Sequence, residues 1–253
     1  MQGSLKSLAL LAILGIWLVI ASGQTPRNPE EFYARGAARL EKGDLEGALA
    51  DFNKALEILP KYSAAWSGRG SVKKKMGDTE GALADYTRAI ELTPEIAVPY
   101  YSRGFLLLEK KDYDSAIKDF DKALEIQPSL AIVYRNRGDA RKFKEDFAGA
   151  IADYGKVLEI EPRNVEVLFE RGSLRQTQND LDGAIADFTK AIEITPGFAD
   201  AYAERGLIRL NRRLDQEAEK DFERYRELNI DGKDYLEQRI KYAKYQRDKK
   251  PKP

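Results

Sequence analysis

From Pro29 to Gly232 the polar and apolar positions recur with a period of 34 residues, six times and without an insertion. Within one period, small and apolar residues follow offsets of three and four, the spacing of a helix face, in two stretches divided by a short polar break. The third period shows the plan. Val98 to Glu109 forms the first stretch, and Lys110-Lys111-Asp112 interrupts it, with Asp112 placed to cap the next helix. Tyr113 to Ile126 forms the second stretch, with Ala116, Ile117, Phe120, Ala123 and Leu124 on one stripe. Pro128 stops it, because proline lacks an amide proton and restricts the residue before it. The pattern predicts an all-α chain of six helix pairs over 29–62, 63–96, 97–130, 131–164, 165–198 and 199–232.

Four residue series run in register through these units. Arg-Gly stands at Arg35-Gly36, Arg69-Gly70, Arg103-Gly104, Arg137-Gly138, Arg171-Gly172 and Arg205-Gly206. Asp51, Asp85, Asp119, Asp153, Asp187 and Asp221 are each followed by Phe or Tyr. Alanines from Ala48 to Ala218 and prolines from Pro60 to Pro196 keep the same spacing. A glycine inside a helix costs about 1 kcal/mol against alanine, so its recurrence requires an offsetting close approach. The expected contact is Gly104 opposite Ala116, with Trp66, Tyr100, Tyr134 and Tyr202 filling the space between successive pairs. Gly43 and Gly77 suit the left-handed residue that closes a first helix. Beyond Gly232, Leu236, Ile240 and Ala243 form a stripe that predicts a capping helix over 233–248, followed by a basic tail, 249–253.

These residues resemble the tetratricopeptide repeat (TPR) family. Its pattern has a large residue at position 4, glycine at 8, a small residue at 20, an aromatic at 24, alanine at 27 and proline at 32. The second unit matches with Trp66, Gly70, Ala82, Tyr86, Ala89 and Pro94. The last unit departs, with Tyr225 for the alanine and Ile230 for the proline, as expected where a repeat meets a cap. The resemblance implies a right-handed α-α superhelical solenoid. It also implies a groove for peptides or partner helices along the first helices.

The first 23 residues differ from the rest. Lys6, the apolar run Leu8 to Ile20 and the small residues Ala21-Ser22-Gly23 make a secretory signal, with the mature chain beginning at Gln24 and a short linker over 24–28. An uncleaved anchor is the alternative, although the run is short of the ~20 residues that span a bilayer. Either way the repeats are expected outside the cytoplasm, periplasmic or extracellular. His and Cys are absent, which removes imidazole bases, thiol nucleophiles, Cys/His zinc sites and disulfides. The stretch from Gln24 to Gln238 holds 34 basic and 41 acidic residues, an acidic body that argues against nucleic acid as partner. Membrane contact is expected only through the leader or the basic tail.

Function is therefore expected in protein or peptide binding, with no catalytic residue, cofactor or metal. Mapped residue by residue, the family's groove positions fall on Tyr33, Leu40, Ser67, Ser71, Lys74, Lys75, Tyr101 and Phe105. They continue through Arg135, Asn136, Asp139, Lys142, Phe169 and Ser173. Tyr101, Phe105 and Phe169 offer contact area at low entropic cost. Tyr101 and Phe105 also stand where the family's carboxylate clamp has Lys and Asn, which argues against chaperone-tail binding. A glycan or small-ligand site built on the same aromatics is the alternative. An enzyme would need an acid pair outside the repeat pattern, and Asp139 with Glu170 is the one candidate. The Arg and Asp series, one copy per unit, is expected to form a ladder of structural ion pairs.

Overall fold

The computed structural model describes residues 26–249; the leader, Gln24, Thr25 and the tail beyond Lys249 lie outside the described residues. Thirteen helices and no strands occur among the described residues. They fall into two units, divided between Pro128 and Ser129, and each unit is described by itself. The first contains α1 (Pro29–Glu41), α2 (Leu45–Ile58), α3 (Ser63–Lys75), α4 (Thr79–Leu92), α5 (Ala97–Glu109) and α6 (Tyr113–Ile126). The second contains α7 (Ala131–Phe143), α8 (Phe147–Ile160), α9 (Val165–Thr177), α10 (Leu181–Ile194), α11 (Ala199–Asn211), α12 (Asp215–Leu228) and α13 (Lys233–Asp248). Within a unit, each first helix packs on the second helix of its repeat, and that second helix packs on the next first helix.

Local chemistry sets the helix ends. Asp44, Asp78, Asp112, Asp146 and Asp180 cap the second helices, each accepting from the amide three residues on at 2.9–3.2 Å. In the sixth repeat Leu214 holds that place and offers no side-chain cap. The residue closing the turn before each cap has positive φ. It is glycine at Gly43 and Gly77, but Lys111, Glu145, Asn179 and Arg213 adopt φ of 61–64° in the later repeats. At the start of the array the linker's last residues are tied down. Asn28 accepts from the Glu31 amide at 2.8 Å, and Glu31 accepts in return from the Arg27 amide at 2.8 Å.

Within each unit the core is a string of small clusters. Ala48, Phe52, Ala55, Leu56, Ala65 and Val72 form the first, joining α2 to α3. In the second unit Leu236, Ile240 and Ala243 of α13 close the last cluster over Leu207, Phe222 and Tyr225. Tyr225 stands where Ala55, Ala89, Ala123, Val157 and Ala191 are buried in the other repeats, and Asn229 donates to its hydroxyl at 2.9 Å.

The glycine contact differs from the one expected. A Cβ on Gly104 would meet the Phe120 ring at 3.0 Å and Asp119 Cβ at 3.1 Å, and Ala116 is not among its nearest neighbours. Helical side chains lean toward the N-terminus, so the Phe120 ring lies over the turn that Ala116 occupies. The same aromatic faces the glycine in every repeat, from Phe52 at Gly36 to Phe222 at Gly206.

Candidate functional site

Each ladder arginine grips the aspartate of its own repeat. Nε and Nη2 of Arg103 donate to the two oxygens of Asp119 at 2.8 and 2.7 Å, and the other five pairs repeat this fork. All six aspartates are buried. A second cation, four residues after the arginine, shares the carboxylate in five repeats: Arg39, Lys73, Arg141, Arg175 and Arg209. The third repeat has Leu107 there. The basic residue at that fixed offset is a sequence signal for the larger network that the Arg and Asp series alone does not reveal. Rings on the preceding turn flank several guanidinium groups, with Arg69 4.5 Å from the centre of Trp66.

The free edge of the guanidinium also reaches back to the preceding repeat. Nη1 of Arg69 donates to Asn53 at 2.8 Å, that of Arg103 to Thr87 at 3.0 Å and that of Arg205 to Thr189 at 3.0 Å. At Arg171 the corresponding residue is Gly155, which offers no side-chain acceptor.

In the first unit the groove candidates divide into packing and surface residues. Tyr33 stacks against Phe52 and Tyr62 with ring centres 5.7 and 5.3 Å apart, and Leu40 joins the same cluster. Burial, with Tyr33 and Glu30 adding to it, pushes the Tyr62 hydroxyl up to about 12. Ser71 shares a hydrogen bond with the Tyr86 hydroxyl at 3.1 Å and also donates to the Ser67 carbonyl. Lys74 is different. Its ammonium lies 3.8 Å from the centre of the Phe105 ring, linking α3 to α5, and it has no carboxylate partner among the described residues. Tyr101 sits beside Phe105, centres 6.4 Å apart, while Lys75 is exposed at the end of α3.

In the second unit Phe169 leans on Phe188 and Phe198, and Ser173 donates to the Phe169 carbonyl at 2.9 Å. Asn136 is buried, so it is not the surface residue its position suggested. Arg135, Asp139 and Lys142 come together with two residues outside the mapped set, Tyr154 and Glu170. The Tyr154 hydroxyl donates to Asp139 at 2.5 Å, and Arg135 and Lys142 each lie 3.5 Å from a Glu170 oxygen. Burial raises the Asp139 carboxyl above its ordinary range, the Tyr154 hydrogen bond opposes this, and the charge of Glu170 adds to it. The acid pair considered for catalysis is thus held by a tyrosine and two cations inside the unit. Among the described residues no group of three His, Cys, Asp or Glu is arranged to hold a metal.

Family models match along the repeats. One described as a TPR repeat covers residues 36–77, and three described as tetratricopeptide repeats cover 63–96, 97–130, and 135–198 with 174–233. The comparison with curated proteins gives no match. Among solved structures, YrrB, described as a TPR protein with an unusual peptide-binding site, is 23% identical with a TM-score of 0.67, over 77% of this chain and 97% of its own. PilF of Pseudomonas aeruginosa is 19% identical with a TM-score of 0.66, over 84% of this chain and 97% of its own. A tetratricopeptide repeat protein of Parabacteroides merdae is 24% identical with a TM-score of 0.55, over 89% and 88%. At these identities the likeness shows the fold. Because models of a single family match almost without a gap from residue 36 to 233, over helix pairs that recur every 34 residues, this chain belongs to the tetratricopeptide-repeat proteins.

Proposed function

We propose that the chain is a non-enzymatic interaction scaffold of the cell envelope that holds a peptide or partner helix against its first helices. The observation that carries this reading is Lys74 over Phe105, with Tyr101 alongside. The ladder cations are consumed by buried aspartates, whereas this cation faces a ring and keeps its donors for a carboxylate from elsewhere. An apolar side chain of the partner would rest on the two half-buried rings. Those rings are tilted 58° to one another, so they make no flat platform for a sugar, which favours a peptide over a glycan. The fold likeness to YrrB, a peptide-binding TPR protein by its description, agrees with this reading.

The test is capture from envelope extract by the wild-type chain, followed by titration of the captured partner onto variants. Lys74→Ala and Phe105→Ala should each weaken binding about tenfold, or roughly 1.4 kcal/mol. Lys74→Ala should change stability by less than about 1 kcal/mol, since it removes one half-buried cation-ring contact and no carboxylate partner. Unchanged affinity in both variants would sink the reading.

The leader supports placement outside the cytoplasm, with cleavage leaving Gln24 at the N-terminus. Mass spectrometry of the protein from its native host should find a chain lacking residues 1–23. An intact Met1 in a membrane fraction would instead make the scaffold an anchored one.

A further inference from the structure

The last helix carries a second ordered face. Leu236, Ile240 and Ala243 seal α13 onto the sixth repeat. On its other side Tyr235, Gln238, Tyr242 and Tyr245 follow one another at offsets of three and four, with Lys249 next in the series, so they form one stripe. The three tyrosines are 63%, 65% and 57% exposed, and Gln238, Lys241, Tyr242 and Tyr245 wall a single shallow depression. Every other tyrosine of the chain is buried or half-buried. Packing thus covers tyrosine rings throughout the repeats and leaves them bare only on this stripe, where they are placed for contact with something else.

The charge around these rings is positive. Lys241 and Lys244 are exposed and have no carboxylate partner among the described residues. The Lys249 ammonium lies 4.2 Å from the centre of the Tyr245 ring. Two acids of the helix are already held, Glu237 by Arg226 at 2.7 and 2.9 Å and Asp248 by Arg247 at 3.0 Å. Asp234 remains, in the first turn, at the opposite end from Lys249. From Arg239 to Pro253 the sequence holds seven basic residues against Asp248 alone, whereas acidic residues outnumber basic ones from Gln24 to Gln238. Unspent positive charge and bare rings therefore coincide at one end of an acidic protein.

We propose that α13 docks the protein on an anionic lipid bilayer, with Tyr235, Tyr242 and Tyr245 among the headgroups and Lys241, Lys244 and Lys249 on their phosphates. A tyrosine ring is apolar along its body and polar at its tip, which is the polarity gradient of the headgroup layer. Among the described residues no helix is long and apolar enough to cross a membrane, and the aliphatic face of α13 is committed to the repeat, so the contact is peripheral. Rings and lysines together supply the two signals that such binding requires. A second copy of the chain would set these lysines against their own kind. Nucleic acid also offers phosphates, but the acidic body disfavours a long polyanion. Docking of this kind goes beyond the scaffold reading, since it holds the scaffold on a surface without using any residue around Phe105.

The test is flotation of the chain beginning at Gln24, which carries every helix described, with vesicles of phosphatidylglycerol and phosphatidylcholine or of phosphatidylcholine alone. The protein should float only with the anionic vesicles, and less as salt is raised. Lys241→Gln should weaken binding about fivefold, the equivalent of roughly 1 kcal/mol for one lysine at an anionic surface. Tyr242→Ser combined with Tyr245→Ser should weaken it about tenfold while keeping the salt dependence, and Phe105→Ala should change nothing. In Tyr242→Trp the added emission should move to shorter wavelength on anionic vesicles, as the ring leaves water. No flotation, equal flotation with both vesicles, or full binding in the double tyrosine variant would overturn the proposal. So would a loss that follows only substitution of Lys250 and Lys252. Binding of a single-stranded oligonucleotide, or self-association that the double tyrosine variant abolishes, would overturn it too if no vesicle is bound. Partner capture without flotation would sink the docking alone, and flotation without partner capture would sink the scaffold reading alone.

Discussion

Asp153→Ala should destabilise the protein by about 3 to 5 kcal/mol, the range for removing one partner from a buried ionic network. Asp153 is 2% exposed and accepts from Arg137 at 3.0 and 2.6 Å and from Arg141 at 2.7 Å. Its removal strands two guanidinium groups against the helix crossing. Asp119→Ala should cost less, about 1.5 to 3 kcal/mol, because only Arg103 is stranded and Leu107 stands where the second cation would be. Urea midpoints of the two variants against wild type measure the difference. Equal losses would mean that the second cation adds nothing, and losses under about 1 kcal/mol in both would mean that water reaches the network.

The glycines at the crossings should respond to alanine with different degrees of compensation. At Gly206 an added Cβ would lie 2.6 Å from the Phe222 ring and 3.1 Å from Asp221 Cβ. Phe222 is enclosed with Tyr225 and Leu236, so it cannot swing away. Overpacking of this kind costs about 1 to 3 kcal/mol, and the upper half of that range is expected for Gly206→Ala even after the gain in helix propensity. At Gly36 the nearest atoms of Phe52 and Asp51 lie at 3.1 and 3.2 Å, a contact that a few tenths of an ångström relieve. There the propensity gain of about 1 kcal/mol should nearly cancel the crowding. Thermal melts of the two variants check this. Equal melting temperatures would show that the sixth crossing relaxes as freely as the first.

The repeat architecture is legible in the sequence because each packing requirement has its own residue type at a fixed offset. Asp caps, the prolines after second helices and the Arg-Gly pairs carry the plan with no long-range information. The Gly104 contact is not legible in the same way, because the offset in sequence gives the height of a residue along its helix but not the lean of its side chain. Phe120 reaches over a turn that its own number does not indicate. Surface positions are harder. Asn136 is buried and Tyr33 and Phe169 are half covered by neighbouring rings, since a position in the repeat does not say how large the adjacent side chains are. The seat of α13 is out of reach for a related reason. Leu236, Ile240 and Ala243 announce a buried stripe, yet where that stripe comes to rest on α11 depends on Tyr225, which departs from the repeat.

The arginine that reaches back to the preceding repeat makes the array a line of coupled units rather than a pile of independent ones. Folding cooperativity in such a line depends on the energy of each junction as much as on the stability of each unit. The Asn53, Thr87 and Thr189 acceptors each add a polar link across a junction, whereas at the junction between the fourth and fifth repeats Gly155 offers none and the polar links are those of Arg135 and Lys142 to Glu170. There the links run between first helices, α7 to α9, rather than from the ladder to the preceding second helix. An unfolding that starts at the C-terminal end and crosses this junction would take Glu170 from both Arg135 and Lys142.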